Sequence, residues 1–209
     1  MQPPARVVVF VDYQNTHLGA LRAFWPSSAL PASGHINPRA LGDLLVSKRM
    51  ANCLPSELVQ VRVYRGRPEP TRQPGPAAAN DRQADAWSRL GKVQAIRRPL
   101  RYPRKWPVES AHEKGVDVAL AVDMVRLAIE GAYDVGVVVS ADTDLLPALE
   151  AVNELGAAHV EVAGWWRQPR LRLRRQPERL WCHWLNEQDY RRVEDLTNYA
   201  APGSSRPDG

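Results

Sequence analysis

Cysteine is scarce in this 209-residue chain: Cys53 and Cys182 stand far apart, and no CxxC pair occurs. That leaves no basis for a disulfide framework or a cysteine zinc site. The five histidines are scattered without an HxxxH pair, so a histidine-based structural zinc centre has no support either. No apolar run approaches the roughly 18 residues of a membrane span. The first apolar stretch is short, contains Asp12 and lacks a small-residue cleavage site, which excludes a signal peptide and leaves a cytoplasmic location as the expectation. Also missing are a Walker-type GxxxxGK[ST] loop, a GxGxxG turn, a GxSxG elbow and any internal repeat. ATPase, dinucleotide-enzyme and α/β-hydrolase readings lose their usual support. Lysine is nearly absent: Lys48, Lys92, Lys105 and Lys114 are the only lysines among 28 basic residues.

What remains is ordinary in bulk and unusual in distribution. An apolar fraction of 44% and a charged fraction of 24% suit a folded chain long enough to bury a core. The net charge is +5. Between Glu113 and Glu154, nine acids face only Lys114 and Arg126, a balance of −7, so the rest of the chain carries +12. A basic body with one acidic centre suits a protein that attracts a polyanion and holds a divalent cation against it.

Hydrophobic patterning predicts alternating strands and helices. Residues 6–11 form a continuous apolar run, the mark of a strand buried on both faces. A helix is predicted within 38–50, a strand at 58–64, a loop over the Pro-rich 65–79, and a helix from a cap at Asn80 or Asp81 to residue 90. A strand follows at 93–100. The strongest helix prediction is 114–131, with Val118, Val122, Val125 and Ile129 on one face. A strand at 134–140, a helix at 145–155 and a strand at 159–163 complete the pattern, and 187–199 suggests a last helix. The fold class expected is α/β: a three-layer α/β/α sandwich around a mostly parallel sheet. The expected division is one α/β domain over 1–164, a basic, Trp-rich extension over 165–200 packing on it, and a disordered tail over 201–209.

Acids fall where such a sheet gathers ligands, at the carboxyl ends of its strands. Asp12 ends the first strand, Asp142 and Asp144 follow the fourth, and Asp117 opens the helix between. Each alone also reads as a helix cap or turn former, and Asn15 as a cap. Together they are candidate metal ligands, and an all-oxygen set selects Mg²⁺ or Mn²⁺. Asp123 lies with Arg126 and Glu130 on one helix face, the spacing of an exposed ion pair. Ser140, Thr143 and Lys114 are candidate supporting groups around the acids, though hydroxyls in such turns usually bond the backbone.

The segments FVDYQN, EKGVDVALAVDM and VVVSADTDLLPAL, in this order, resemble the NYN domain, in particular its LabA-like branch, within the PIN-like nuclease superfamily. The resemblance covers residues 6 to about 163. It implies a PIN-like fold and a metal-dependent ribonuclease site, with Asp12, Asn15, Asp117, Asp142 and Asp144 at the family's catalytic positions and Asp12, Asp117, Asp142 and Asp144 as metal ligands. It raises Asp123, where family members commonly also carry an Asp. Ala141 stands where a glycine is common, and Asp43 is the nearest match to a further acid on an early helix.

The function expected is endonucleolytic cleavage of single-stranded RNA. The alternatives are an RNA-binding module on the same fold without catalysis, or a Toprim-like phosphotransfer domain, whose first strand ends in Glu where this chain has Asp12. Two basic, aromatic-bearing stretches are candidate RNA contacts: Arg97, Arg98, Arg101, Arg104 and Lys105 in one, and Arg170, Arg172 and Arg174 in the other. Trp181 and Trp184 are expected to pack the last helix, and the Trp-rich end is a candidate surface for a second copy or a protein partner.

Overall fold

The computed structural model describes residues 3–30, 33–169, 171 and 180–201. Its centre is a six-stranded, all-parallel sheet. The strands are β1 (Ala5–Asp12), β2 (Ser56–Arg67), β3 (Val93–Pro99), β4 (Val135–Val139), β5 (His159–Trp165) and β6 (Cys182–Leu185), in the order β3-β2-β1-β4-β5-β6. Order reverses between β1 and β4, which places the switch point beside Asp12.

β1 shows why its sequence has no alternation. Val7, Val9 and Val11 enter one apolar cluster with α1 (Tyr13–Phe24), α2 (Pro38–Ala51), α3 (Pro74–Ser88) and α6 (Glu187–Val193). Val8 and Phe10 enter the opposite cluster with α4 (Val116–Ile129) and α5 (Leu146–Glu154). A strand covered on both faces buries every side chain. The layers are therefore helices, sheet, helices, as the α/β/α reading required. No helix among the described residues is long and apolar enough to cross a membrane.

Four local expectations need correction. The segment 65–79 is not all loop: β2 continues to Arg67, and α3 begins at Pro74. Pro74 and Pro76 sit in its first turn, where a missing N–H costs nothing because those donors have no intrahelical acceptor. Asn80 is therefore inside α3, and its side-chain amide donates to the Gly66 carbonyl at 3.0 Å. In α4 the buried stripe is Val116, Leu120, Met124 and Ala128, whereas Val118, Val122 and Ile129 are exposed. The helix is apolar nearly all round, so periodicity alone could not choose its inward face. A sixth strand follows the basic stretch, and α6 packs Tyr190 against Phe24 and Trp165 rather than against Trp181 and Trp184. Trp184 instead meets Trp166 edge-on, ring centroids 5.9 Å apart.

Candidate active site at the carboxyl edge of the sheet

Asp12 is the last residue of β1 and the N-cap of α1. It is 9% exposed. One carboxylate oxygen accepts from the Asn15 backbone N–H at 3.2 Å, and the other accepts from the Ser140 hydroxyl at 3.0 Å. The Thr16 hydroxyl lies 2.6 Å from the Asp12 carbonyl and 3.0 Å from that of Val139, joining the ends of β1 and β4. These bonds fix where the carboxylate sits. None brings it a cation.

Asp142 and Asp117 approach this edge from two further segments. Asp142 follows β4 and caps a short 3₁₀ turn, Thr143–Leu145, accepting from the Asp144 N–H at 3.0 Å. Its own N–H donates to Ser140 Oγ at 3.0 Å, so Ser140 links the two acidic turns. Asp117 lies in the first turn of α4. That helix starts at Gly115, whose φ of 70° is a conformation open to glycine at little cost. Asp144, Thr143 and Lys114 are exposed.

The local field is acidic. Burial raises the Asp12 pKa; the Asn15 and Ser140 bonds oppose that shift, and the charges of Asp142 and Asp117 reinforce it. Burial also raises Glu113, with the charges of Asp12 and Asp117 adding to the effect. Glu113 belongs to this group although the sequence did not single it out. It accepts from the Gly66 N–H and, in the amide orientation that satisfies both groups, from the Gln14 side chain at 2.9 Å. Gly66 is required here: a Cβ would stand 2.9 Å from the Glu113 side chain and 2.3 Å from Leu100. The signal available in sequence was the position of Glu113 four residues before Asp117.

Asp123 and Asp43 are placed elsewhere, and Asn15 stays beside the acids. Asp123 bonds Arg62 at 2.6 Å, the Tyr64 hydroxyl at 2.9 Å and Arg126 at 3.3 Å. Asp43 pairs with Arg39 on α2 at 2.8 Å. Asn15 points its side-chain oxygen at the Ala141 N–H, 3.0 Å away, which leaves its amide nitrogen as a donor without a protein acceptor among the described residues. Arg97 pairs with Asp81, which also binds Arg67. Arg98, Arg101, Arg104 and Lys105 are exposed, Lys105 within 3.7 Å of Glu109. Arg170, Arg172 and Arg174 lie outside the described residues.

The sequence matches the NYN domain over residues 6–179. The chain belongs to the NYN domain family. This is a family of PIN-like nucleases, and such enzymes typically use divalent metals. No curated protein matches the sequence. Among solved structures, a protein of unknown function from Vibrio parahaemolyticus is similar, with a TM-score of 0.52 and 18% identity over 81% of this chain and 88% of that one. That likeness concerns the fold. The NYN match ends at residue 179, and β6 beyond it still pairs with β5.

The donor set of this NYN domain fits a hard divalent cation, since every candidate ligand is a carboxylate and Asp12 is buried facing like charges. Among the described residues, no group of three or more His, Cys, Asp or Glu is already arranged to hold a metal ion. The chemistry suits a cation, and a finished cage is not preformed.

Proposed function

We propose that this NYN domain is a metal-dependent endoribonuclease that cuts single-stranded RNA at the carboxyl edge of its sheet. The observation that carries the reading is Asp12: a buried carboxylate with no cationic partner among the described residues, raised by burial and by the charges of Asp142 and Asp117. Burial and neighbouring acids disfavour its charged form, and a bound cation would favour it. Asp12, Asp117 and Asp142 would hold Mg²⁺ or Mn²⁺, with Asp144 as a further ligand or an outer contact. The chemistry that a bound ion supplies is activation of a water and bracing of the leaving oxygen.

The chain's own residues do the positioning. Ser140 and the Asn15 N–H fix the orientation of Asp12. The Asn15 amide, anchored through Ala141, offers its remaining donor to a phosphate oxygen. Cavities flank the acids: one of about 350 Å³ on the β2 side, and one of about 490 Å³ on the β5 side that is lined by Arg22, Trp166 and Arg167. A flexible single strand can cross the acids between them, its phosphates meeting arginine and its bases meeting aromatic rings.

The test is cleavage of labelled single-stranded RNA with Mn²⁺, giving products with 5′-phosphate ends. Asp12→Asn and Asp142→Asn are expected to abolish it, as is EDTA. Cleavage that survives both substitutions and chelation contradicts the proposal. The unassembled state of the carboxylates favours a second reading, an RNA-binding module without catalysis. It predicts salt-sensitive RNA binding and no metal-dependent products.

A further inference from the structure

The cavity on the β2 side contains a charge that the cleavage centre does not use. Arg65 lines it, its guanidinium 4.9 Å over the Tyr13 ring and 5.7 Å from that of Trp87. One N–H reaches the Gln83 side-chain oxygen, and Nε is buried without a partner. Among the described residues, Arg49 and Arg62 are also drawn inside, and each pairs with a carboxylate. Arg65 does not. The carboxylate that faces it, Glu113, makes no ion pair with it and is already engaged by the Gly66 N–H and the Gln14 side chain. Arginine cannot shed its proton, so a desolvated guanidinium with free donors calls for an anion from outside.

The remaining wall is aromatic. His17 and His35 stack with centroids 4.7 Å apart, and Tyr199 stands edge-on to His35 at 6.1 Å. Burial lowers both histidines, His35 to about 4, so at neutral pH they offer uncharged ring surface. The volume of about 350 Å³ lies at the small end of the range for ligand pockets. Gln14 and Glu113 line the cavity and connect it to the acids.

We propose that this cavity is a nucleotide subsite, in which Arg65 takes the phosphate and the His17–His35 pair takes the base of one nucleoside monophosphate unit. Its role as the neighbour of the scissile bond rests on the ribonuclease reading; its ability to bind does not. The unit belongs either to an RNA chain or to a free mononucleotide, since the chemistry presented to Arg65 is the same.

The test is calorimetric titration of the full chain in EDTA with 5′-AMP, 5′-UMP, adenosine and a short oligoribonucleotide. Saturable binding of the monophosphates is expected, with adenosine and Arg65→Gln each weaker by about tenfold or more, as loss of a charged hydrogen bond implies. Ala79→Trp fills the cavity from α3 without altering Arg65 and should abolish binding. Asp12→Asn should keep it. Tighter binding of the oligonucleotide assigns the site to RNA, and equal or weaker binding assigns it to the free nucleotide. No saturation up to about 10 mM, or isotherms unchanged by both Arg65→Gln and Ala79→Trp, overturns the subsite. If metal-dependent cleavage persists in that case, the subsite alone fails. Nucleotide binding without cleavage defeats the ribonuclease reading alone.

Discussion

Glu161 and Asp12 are both buried carboxylates on strands of one sheet, yet their surroundings are opposite. Glu161 on β5 is 2% exposed and clasped by Arg49, by His183 at 2.7 Å and by His159 at 3.4 Å. Arg49 also donates to Ser56, the first residue of β2, so this cluster sits towards the amino ends of the strands. Burial alone would push the Glu161 pKa up, but bonds from His159, His183 and Arg49 hold it well below the usual carboxylate range. Asp12, at the carboxyl end of β1, receives a hydroxyl and a backbone N–H and faces further acids, and its pKa rises. One end of the sheet uses a buried charge to fasten elements together. The other leaves one without a cationic partner among the described residues, as the proposed cation site requires.

The largest expected effect separates activity from stability at Asp12. Asp12→Asn should lower Mn²⁺-dependent RNA cleavage by about a thousandfold or more, the scale of several kcal/mol of lost charge stabilisation. Its melting temperature without metal should stay level or rise, because the substitution removes a desolvated charge. A melting temperature lowered as much as that of a Glu161 variant would erase the contrast. Next in size is Glu161→Gln, which strands Arg49 in the interior. Urea unfolding should show a loss of about 3–5 kcal/mol, the range for breaking a buried pair.

The pH dependence should also have opposite signs. A folded-state pKa below the unfolded value stabilises above the ordinary glutamate range, and that contribution is lost as pH falls through the folded value. The stability gap between wild type and Glu161→Gln should therefore shrink on acidification below about pH 4, near the unperturbed glutamate pKa. Asp12 is raised, so in EDTA its contribution is greatest in acid and declines as pH rises through its folded value. Melting curves from neutral to acid pH for wild type and both variants check the two signs together. The smallest effect belongs to Asp123, 21% exposed and bonded to Arg62 and Tyr64. Asp123→Asn should cost about 1–2 kcal/mol in unfolding and leave cleavage within about threefold. A collapse in cleavage without loss of stability would move Asp123 into the active site.

The sheet was legible because β1 and β4 are apolar on both faces, a pattern that few other structures produce. Asp12, Asp117 and Asp142 stood out because each marks the end of a strand or the start of a helix. Glu113 and Arg65 did not. Arg65 counts as a strand residue only once β2 is known to run past Tyr64, and Glu113 reaches the site from a loop pinned by the Arg101–His112 bridge. Both depend on contacts distant in sequence. The partner of Glu161 was equally hidden, since Arg49 lies 112 residues away along the chain. Strand β6 is short and followed directly by a helix cap at Asn186, which left its pairing with β5 without a local signature.

Mn²⁺ binding followed by electron paramagnetic resonance puts the contrast between the two carboxylates to its most direct test. Wild type and folded Glu161→Gln should bind the ion with equal affinity, and Asp12→Asn should lose it. Wild-type affinity retained in Asp12→Asn would contradict a cation site at the carboxyl edge of the sheet.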